Sequence, residues 1–305
     1  MCAGDREVAV AGLRVAVVVH AASGHGAAAR VAPRVVERLS GVVSRVTVVE
    51  ADTVERSRAG LLRARDAGLD VVVVVGGDGS VHQAVQFCAE HGVALAVVPS
   101  GTGNDLGRAL GVPARAAEAV EAVVAALGAG ARRRVDLGRV AGGAWFASVL
   151  CAGFDSAVNE RVNRMRWPHG RRRYDLAIVA ELAALSQRTL VVDTDGGRLE
   201  LAATMVAVGN TGFYGGGIPV CPRADPADGV FDLTVVGQMS RWDLVRMLPT
   251  LRTGEHVGHP AVRTLRARRV SLGGDNEWVA YADGERLGPL PVVVECVPGA
   301  LEVVG

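Results

Sequence analysis

The first half of the chain alternates short valine-rich runs with longer segments whose apolar residues recur at helical spacing. Strand-sized runs occupy residues 15–19, 46–49, 71–75 and 94–98, and positions such as Val31, Val35 and Leu39 mark the helices between them. Strands that are apolar on both faces and separated by amphipathic helices form a parallel sheet covered on both sides. The pattern predicts a doubly wound α/β domain over residues 1–130.

The second half has a different order of strand and helix patterns. Strand patterns follow one another at residues 132–140, 144–150, 189–193 and 199–208, with helical stretches at 156–165, 174–185 and 242–251. Turn residues such as Asp195-Gly196-Gly197 separate the last two of these strands, and consecutive strands pair antiparallel. We therefore predict a mainly antiparallel, β-sandwich-like domain over residues 131–287, with the boundary near Gly130.

Composition excludes several classes of protein. With 305 residues, 50% of them hydrophobic, the chain can bury two modest cores, and its net charge of +1 gives no reason to expect nucleic acid. Five scattered cysteines without a CxxC pair argue against a disulfide framework and a structural zinc site. No signal-like or bilayer-spanning run is present, so we expect a cytoplasmic protein that is neither secreted nor integral to a membrane.

The sequence contains no lysine, so all 33 basic residues are arginine. A P-loop requires a lysine on the phosphates, a protein kinase requires one on its third strand, and pyridoxal chemistry requires one for the Schiff base. If the protein handles a nucleotide, it does so in another way.

The first glycine loop, residues 76–80, directly follows the strand at 71–75 and opens a helical pattern. Its members Gly76, Gly77, Asp78, Gly79 and Ser80 can bring backbone N–H groups close to an anion at a helix N-terminus. Asp78 beside an anion implies a cation, which we interpret as Mg²⁺ held directly or through water. The alternative is a glycine turn with the aspartate as a cap.

The second glycine loop, residues 99–105, follows the next strand in the same way. It supplies Gly101, Thr102, Gly103 and Asn104 as phosphate-binding candidates, and Asp105 as a partner of Asp78 in a magnesium-water network. Loops at the carboxyl edge of a parallel sheet form one crevice, where open α/β folds bind ligands. The alternative is that Asn104 and Asp105 only cap a helix.

With these two loops, in this order and spacing, the chain resembles the catalytic domain of the diacylglycerol kinase and sphingosine kinase family. The similarity continues through Gly209-Asn210, Tyr214 to Gly217, Pro222, Ala224, Asp228-Gly229, Gly254-Glu255-His256, His259-Pro260 and Asp283-Gly284-Glu285. It implies a soluble lipid kinase with an NAD kinase/phosphofructokinase-like first domain, completed by C-terminal strands from residues 288–305. ATP and Mg²⁺ are the implied cofactors.

The resemblance also implies roles for individual residues. Asp283 matches the base that takes the proton of the attacking hydroxyl, with Glu285 nearby in the cleft. The family's structural magnesium site is matched by the Asp228 carboxylate and by the carbonyls of Asp225 and Val230, although a bare turn would use the same residues. Magnesium there would support the fold, and the docking of a partner subunit in a homodimer, more than the chemistry.

The chain departs from the family pattern at two places. Where the family has Asn-Pro-x-Ser-Gly, this chain has His20-Ala21-Ala22-Ser23-Gly24, which keeps only Ser23 and Gly24 as nucleotide-binding candidates. His82-Gln83 replaces an Asn-Glu pair in the helix after the first glycine loop. Nucleotide affinity or base contacts are expected to differ as a result.

The sequence thus predicts transfer of phosphate from ATP to diacylglycerol or a related lipid. An arginine cluster surrounds Trp167 and has two interpretations: it binds the protein peripherally to an anionic membrane, or it is a solvated helix end. Its members are Arg161, Arg164, Arg166, Arg171, Arg172 and Arg173. NAD kinases and phosphofructokinases, which share the first loop, and a non-catalytic nucleotide or lipid sensor are the alternatives.

Overall fold

The computed structural model describes residues 12–20, 26–165, 167, 171–185, 188–274 and 278–305. The chain forms two compact units: the first ends at Leu137 and also takes in Pro298–Gly305, and the second is Gly138–Val297. Among the described helices, none is long and apolar enough to cross a membrane.

The first unit is built on a parallel sheet. Its strands lie side by side in the order β2, β1, β3, β4, and the last strand of the chain, β15, joins β4 in parallel through the pair Val303–Leu95. The elements are β1 (Arg14–His20), α1 (Ala27–Ser40), β2 (Arg45–Ala51), α2 (Val54–Asp66), β3 (Val71–Gly76), α3 (Asp78–His91), β4 (Ala94–Pro99), α4 (Asp105–Ala109), α5 (Ala116–Ala129), the first part of β5 (Arg132–Val140) and the end of β15 (Val292–Val304).

Both faces of this sheet are buried, as the valine runs predict. Alternate strand residues such as Val17 and Val73 pack in one cluster with α1 and α5, while Val18 and Val72 on the other face are equally inaccessible. Helices α2 and α3 contact each other and lie on the strands. Each fully buried valine contributes about 1.5–3 kcal/mol. The prediction of a doubly wound α/β domain is confirmed.

The division between the units falls later than the glycine-rich stretch at Gly130. The first residues of β5 contact the end of β15: Arg132 pairs with Glu302 at 2.8 Å, and Asp136 accepts a 2.8 Å hydrogen bond from the Gly299 N–H. Those residues therefore belong to the first unit up to Leu137. Strand β15 enters that unit only at Pro298, because its first residues pair with β12 (Arg269–Gly274).

The second unit is mainly antiparallel. Its long central strand β9 pairs with β8 through its first half and with β7 and β10 through its second half. The elements are β6 (Trp145–Phe146), β7 (Val149–Gly153), α6 (Phe154–Arg164), α7 (Arg171–Ala183), β8 (Arg188–Thr194), β9 (Gly197–Gly209), β10 (Phe231–Gly237), α8 (Arg241–Leu251), a 3₁₀ turn (Glu255–Gly258), β11 (Val262–Ala267), β12, β13 (Val279–Ala282) and β14 (Glu285–Pro289).

The alternating side chains of β9 separate two cores in this unit. Val206 and Val208 pack in a cluster formed by the strands, whereas Met205 and Ala207 pack with residues of α6, α7 and α8. A sheet with strands on one side and helices on the other follows from this alternation. The predicted sandwich-like character is confirmed.

One predicted strand is divided in the structure. Residues 144–150 read as a single strand, but β6 ends at Phe146 and β7 begins at Val149. Between them, Ala147 and Ser148 direct their N–H groups to the side chain of Asp283 instead of to a neighbouring strand.

Candidate active site

The two glycine loops of the first unit touch each other. Gly76 and Pro99 are register partners at the ends of β3 and β4, and the Ser100 N–H donates to the Gly76 carbonyl at 2.9 Å. Beyond them, a Cβ placed on Gly101 would lie 2.5 Å from the Cα of Gly77. Only glycine permits this approach of one backbone to the other, so the second loop lies directly against the first.

Asp78 joins the loops through its carboxylate. Its Oδ2 accepts the Asn104 N–H at 2.9 Å, and its Oδ1 accepts the Asp105 N–H at 2.7 Å. The residue thus opens α3 while its side chain binds the amides at the start of α4. Each carboxylate oxygen retains a second acceptor position after these bonds, so the arrangement is compatible with a cation nearby.

Asn104 closes the second loop on itself. Its backbone is left-handed, with φ 57°. Its Nδ2 donates to the Gly101 carbonyl at 2.8 Å, and its Oδ1 accepts the Gly101 N–H at 3.2 Å. The Asn104 side chain makes no capping bond to α4. Asp105, which is 7% exposed, lies in the first turn of that helix.

The start of α3 presents a surface suited to phosphate. Gly77 is the N-cap of this 14-residue helix, and its carbonyl accepts the Val81 N–H at 3.0 Å. The preceding amides of a helix have no acceptor within the helix and carry its positive dipole end. Gly79 is exposed, with no heavy atom within 4 Å of a Cβ built on it, and Thr102 is exposed on the second loop.

In the second unit, Asp283 lies in a tight hairpin turn between β13 and β14. Asp283 and Gly284 have φ values of 51° and 85°, as a two-residue type I′ turn requires. The Asp283 carboxylate accepts the Ala147 N–H through Oδ2 and the Ser148 N–H through Oδ1, both at 2.8 Å. Glu285 is exposed at the first position of β14.

Asn210 supports the peptide that holds Asp283. Its Nδ2 donates to the Ala147 carbonyl and its N–H to the Ser148 carbonyl, at 2.8 and 2.9 Å. Asn210 is 1% exposed, so this contact is shielded from water. In the sequence analysis Asn210 is only part of a Gly-Asn motif, because its contact lies on a segment 63 residues away.

A second acidic group of this unit was not identified from the sequence. Asp155 lies in the first turn of α6, and its Oδ2 accepts the hydroxyl proton of Tyr214 at 2.6 Å. Burial raises the pKa of Asp155 to about 6, and the hydrogen bond from Tyr214 opposes this shift. The only sequence signal was Tyr214 itself, which precedes three glycines in the family motif.

Two of the three groups predicted to bind a structural magnesium, the Asp228 carboxylate and the Asp225 carbonyl, have protein partners. The Arg266 guanidinium donates to Asp228 Oδ2, and the Val230 N–H donates to Asp228 Oδ1 at 3.2 Å. The Asp225 carbonyl accepts the Asp228 N–H at 3.4 Å. Within the described part of the chain, no three His, Cys, Asp or Glu side chains come together at one place.

The arginine cluster near Trp167 is partly neutralised. Arg161 lies 2.5 Å from Glu181, Arg164 lies 3.0 Å from Glu160, and Arg173 donates to the Met165 carbonyl. Arg166 falls outside the described residues, as do Ser23 and Gly24 of the nucleotide-binding prediction. The cluster therefore carries less unpaired charge than its composition indicates.

Two family profiles together cover most of the chain. The diacylglycerol kinase catalytic domain matches residues 14–140, and the YegS C-terminal NAD kinase beta sandwich-like domain matches residues 148–305. The chain is also 39% identical over 296 residues to a diacylglycerol kinase of Mycobacterium tuberculosis, covering 95% of this chain and 94% of that protein. The chain belongs to the diacylglycerol kinase family.

Further members of the diacylglycerol kinase family agree. A Bacillus subtilis diacylglycerol kinase is 27% identical, over 75% of this chain and 76% of its own length. A diacylglycerol kinase structure from Bacillus anthracis strain Sterne has a TM-score of 0.72 at 20% identity, over 95% of this chain and 96% of that chain, and supports the fold. The predictions of family, of a kinase and of the fold class are confirmed.

Some motifs of the diacylglycerol kinase family have structural roles here. His256 is 1% exposed and lies 3.0 Å from the Val220 carbonyl through Nε2. His259 accepts the Ala261 N–H through Nδ1 at 3.2 Å. Both contacts lie at the 3₁₀ turn.

Proposed function

We propose that the protein transfers the terminal phosphoryl group of ATP to the hydroxyl of diacylglycerol or a related lipid. The observation that carries this proposal is the pair of glycine loops joined by Asp78 at the start of α3. The lipid acceptor is supported by the relatives, which are named diacylglycerol kinases.

The nucleotide phosphates would lie on the first glycine loop. There the N–H groups at the start of α3 and the exposed Thr102 hydroxyl can donate to phosphate oxygens. Asp78 and Asp105 would hold Mg²⁺ together with those oxygens, since this ion commonly takes one or two carboxylates plus phosphate. Magnesium supplies neutralisation of the charge that develops on the phosphates.

Asp283 would take the proton of the acceptor hydroxyl. Two backbone N–H groups, from Ala147 and Ser148, fix the orientation of its carboxylate. Catalysis by such a base typically contributes roughly 10²–10⁴-fold.

A transfer assay with two matched variants tests the proposal. Asp283→Asn is compared with Asp195→Asn, because Asp195 precedes a glycine in the turn between β8 and β9 and its Oδ1 also accepts two backbone N–H groups, from Arg268 and Arg269. We expect Asp283→Asn to lose about 10²-fold or more in kcat, and Asp195→Asn to keep wild-type kcat.

The acceptors in this assay are diacylglycerol, phosphatidylglycerol, sphingosine, NAD and fructose 6-phosphate, each with labelled ATP. Transfer to NAD or to the sugar phosphate, or no transfer to any acceptor, would refute the proposal. Equal loss of activity in the two variants would remove Asp283 as the base, because both lose the same kind of hydrogen bond.

We further propose that the second unit docks on the membrane through α7 and α8. Of the eight large hydrophobic side chains exposed among the described residues, six lie on or beside these helices: Trp167, Tyr174, Leu176, Val179, Trp242 and Val245. Trp167 and Trp242 are 77% and 74% exposed. Since α7 and α8 pack on one core cluster, both are on the same face of the unit. Exposed aromatic and basic residues favour an anionic lipid surface.

Binding to anionic vesicles tests this surface. We expect Trp167→Ala/Trp242→Ala to weaken binding about tenfold or more, equivalent to about 1.4 kcal/mol. The control is Val48→Ala/Val54→Ala, which removes exposed apolar groups from the first unit. No binding of the wild type at low salt, or equal losses in the two double variants, would contradict the docking surface.

A further inference from the structure

Arg266 contacts two aspartates, Asp228 and Asp232. It lies on β11 directly across from Asp232 on β10, as a register partner in the antiparallel pair. Its Nη2 donates to Asp228 Oδ2, and its Nε lies 3.4 Å from Asp232 Oδ2. Asp232 is 8% exposed, so its charge has little access to water. The strand pairing places the Arg266 side chain beside Asp232, and this side chain is 58% exposed.

The arginine takes the place that the family resemblance gives to a metal ion. Magnesium requires oxygen ligands in a near-octahedral set about 2.1 Å away. Here one Asp228 oxygen binds Arg266 and the other accepts the Val230 N–H. A divalent ion bound to this carboxylate would have to displace the guanidinium or remain beside its positive charge.

We infer that Arg266 replaces the structural magnesium, so that the segment 225–230 folds without a metal ion. The guanidinium compensates the Asp228 and Asp232 carboxylates in the way that a cation would. The inference concerns the folding of the second unit and does not depend on the proposed activity.

Metal analysis and thermal unfolding without nucleotide test this inference. After gel filtration the wild type should hold no stoichiometric divalent ion, and its Tm should differ by less than about 1 °C between EDTA and excess MgCl₂, a difference of only a fraction of 1 kcal/mol. Bound divalent ion together with a fall in Tm in EDTA, both abolished in Asp228→Asn, would overturn the inference.

Variants of Arg266 provide a second test, in which magnesium should raise the Tm instead of leaving it unchanged. Arg266→Met removes the guanidinium that contacts both carboxylates, so its Tm should fall, and excess MgCl₂ should restore part of the loss. Asp228→Asn added to Arg266→Met should remove that response to magnesium. Arg266→Lys, which keeps the charge, is the matched control and should not respond.

A Tm of Arg266→Met that is unaffected by the substitution would also overturn the inference, because the arginine would then compensate nothing. If Arg266→Met does not fold, the wild-type comparison in EDTA and MgCl₂ decides alone. Kinase activity is assayed separately, so a failure of the proposed function leaves this result unchanged.

Discussion

Substitution of Gly101 by alanine should separate the two glycine loops. The new Cβ would lie 2.5 Å from the Gly77 Cα and 3.3 Å from the Gly77 nitrogen, both of them backbone atoms. Ordinary carbon contacts are about 3.5–4.0 Å, so the loops must part by about 1 Å. The movement stretches the Ser100–Gly76 bond and the bonds of Asp78 to the second loop. Overpacking of this kind costs about 1–3 kcal/mol.

Gly79→Ala is the matched comparison, because it adds the same methyl group to the first loop. No heavy atom lies within 4 Å of that Cβ, and the position is helical. Alanine there should leave the free energy of unfolding unchanged or raise it by up to about 1 kcal/mol. It should nevertheless weaken ATP binding about tenfold, because the methyl group enters the space proposed for the phosphates.

Urea unfolding followed by circular dichroism measures the first effect, and calorimetric titration with ATP and Mg²⁺ measures the second. We expect Gly101→Ala to lose both stability and affinity, and Gly79→Ala to lose affinity alone. Wild-type stability in Gly101→Ala would refute the contact between the loops. Wild-type affinity in Gly79→Ala would show that the phosphates bind elsewhere.

Three further outcomes are expected in the second unit. Asn210→Ala should lose about 1–3 kcal/mol of stability by leaving the buried Ala147 carbonyl unpaired, and in steady-state kinetics its kcat should fall more than its KM for ATP changes. The pKa of Asp155 rises from 3.8 to about 6 on folding, so its stabilising contribution is present in acid and is lost as pH rises through about 6. The unfolding midpoint of Asp155→Asn, measured against pH, should lack this pH-dependent loss of stability. Tyr214→Phe should move the loss to higher pH, since the hydroxyl lowers that pKa.

Much of the fold could be predicted from periodicity because its signals are local. The valine runs became β1 to β4, and the strand pattern at 132–140 became β5 with the same bounds. The break at Ala147 and Ser148 could not be predicted, because small residues fit a strand and the cause is Asp283, 135 residues beyond Ser148. The double pairing of β9 is likewise set by the strands around it.

The sequence indicates the residue types of the candidate site, but it does not indicate the hydrogen bonds that connect them. Glycine content and position after a strand identified both loops, but the Asp78 carboxylate binds amides 26 and 27 residues later. The magnesium segment shows the same limit, since Arg266 lies 38 residues from Asp228 and shares no motif with it. Local sequence indicates which groups carry charge, whereas the strand pairing determines which groups compensate it.

The bonds between the two loops also determine how their amides exchange with solvent. The N–H groups of Ser100, Asn104 and Asp105 are each bonded to an acceptor on the first loop. An amide exchanges only when its bond opens, and amides that open together exchange as one unit. A ligand that touched the first loop alone would therefore slow deuterium uptake in the second, and the protected segment would be wider than the ligand's own footprint.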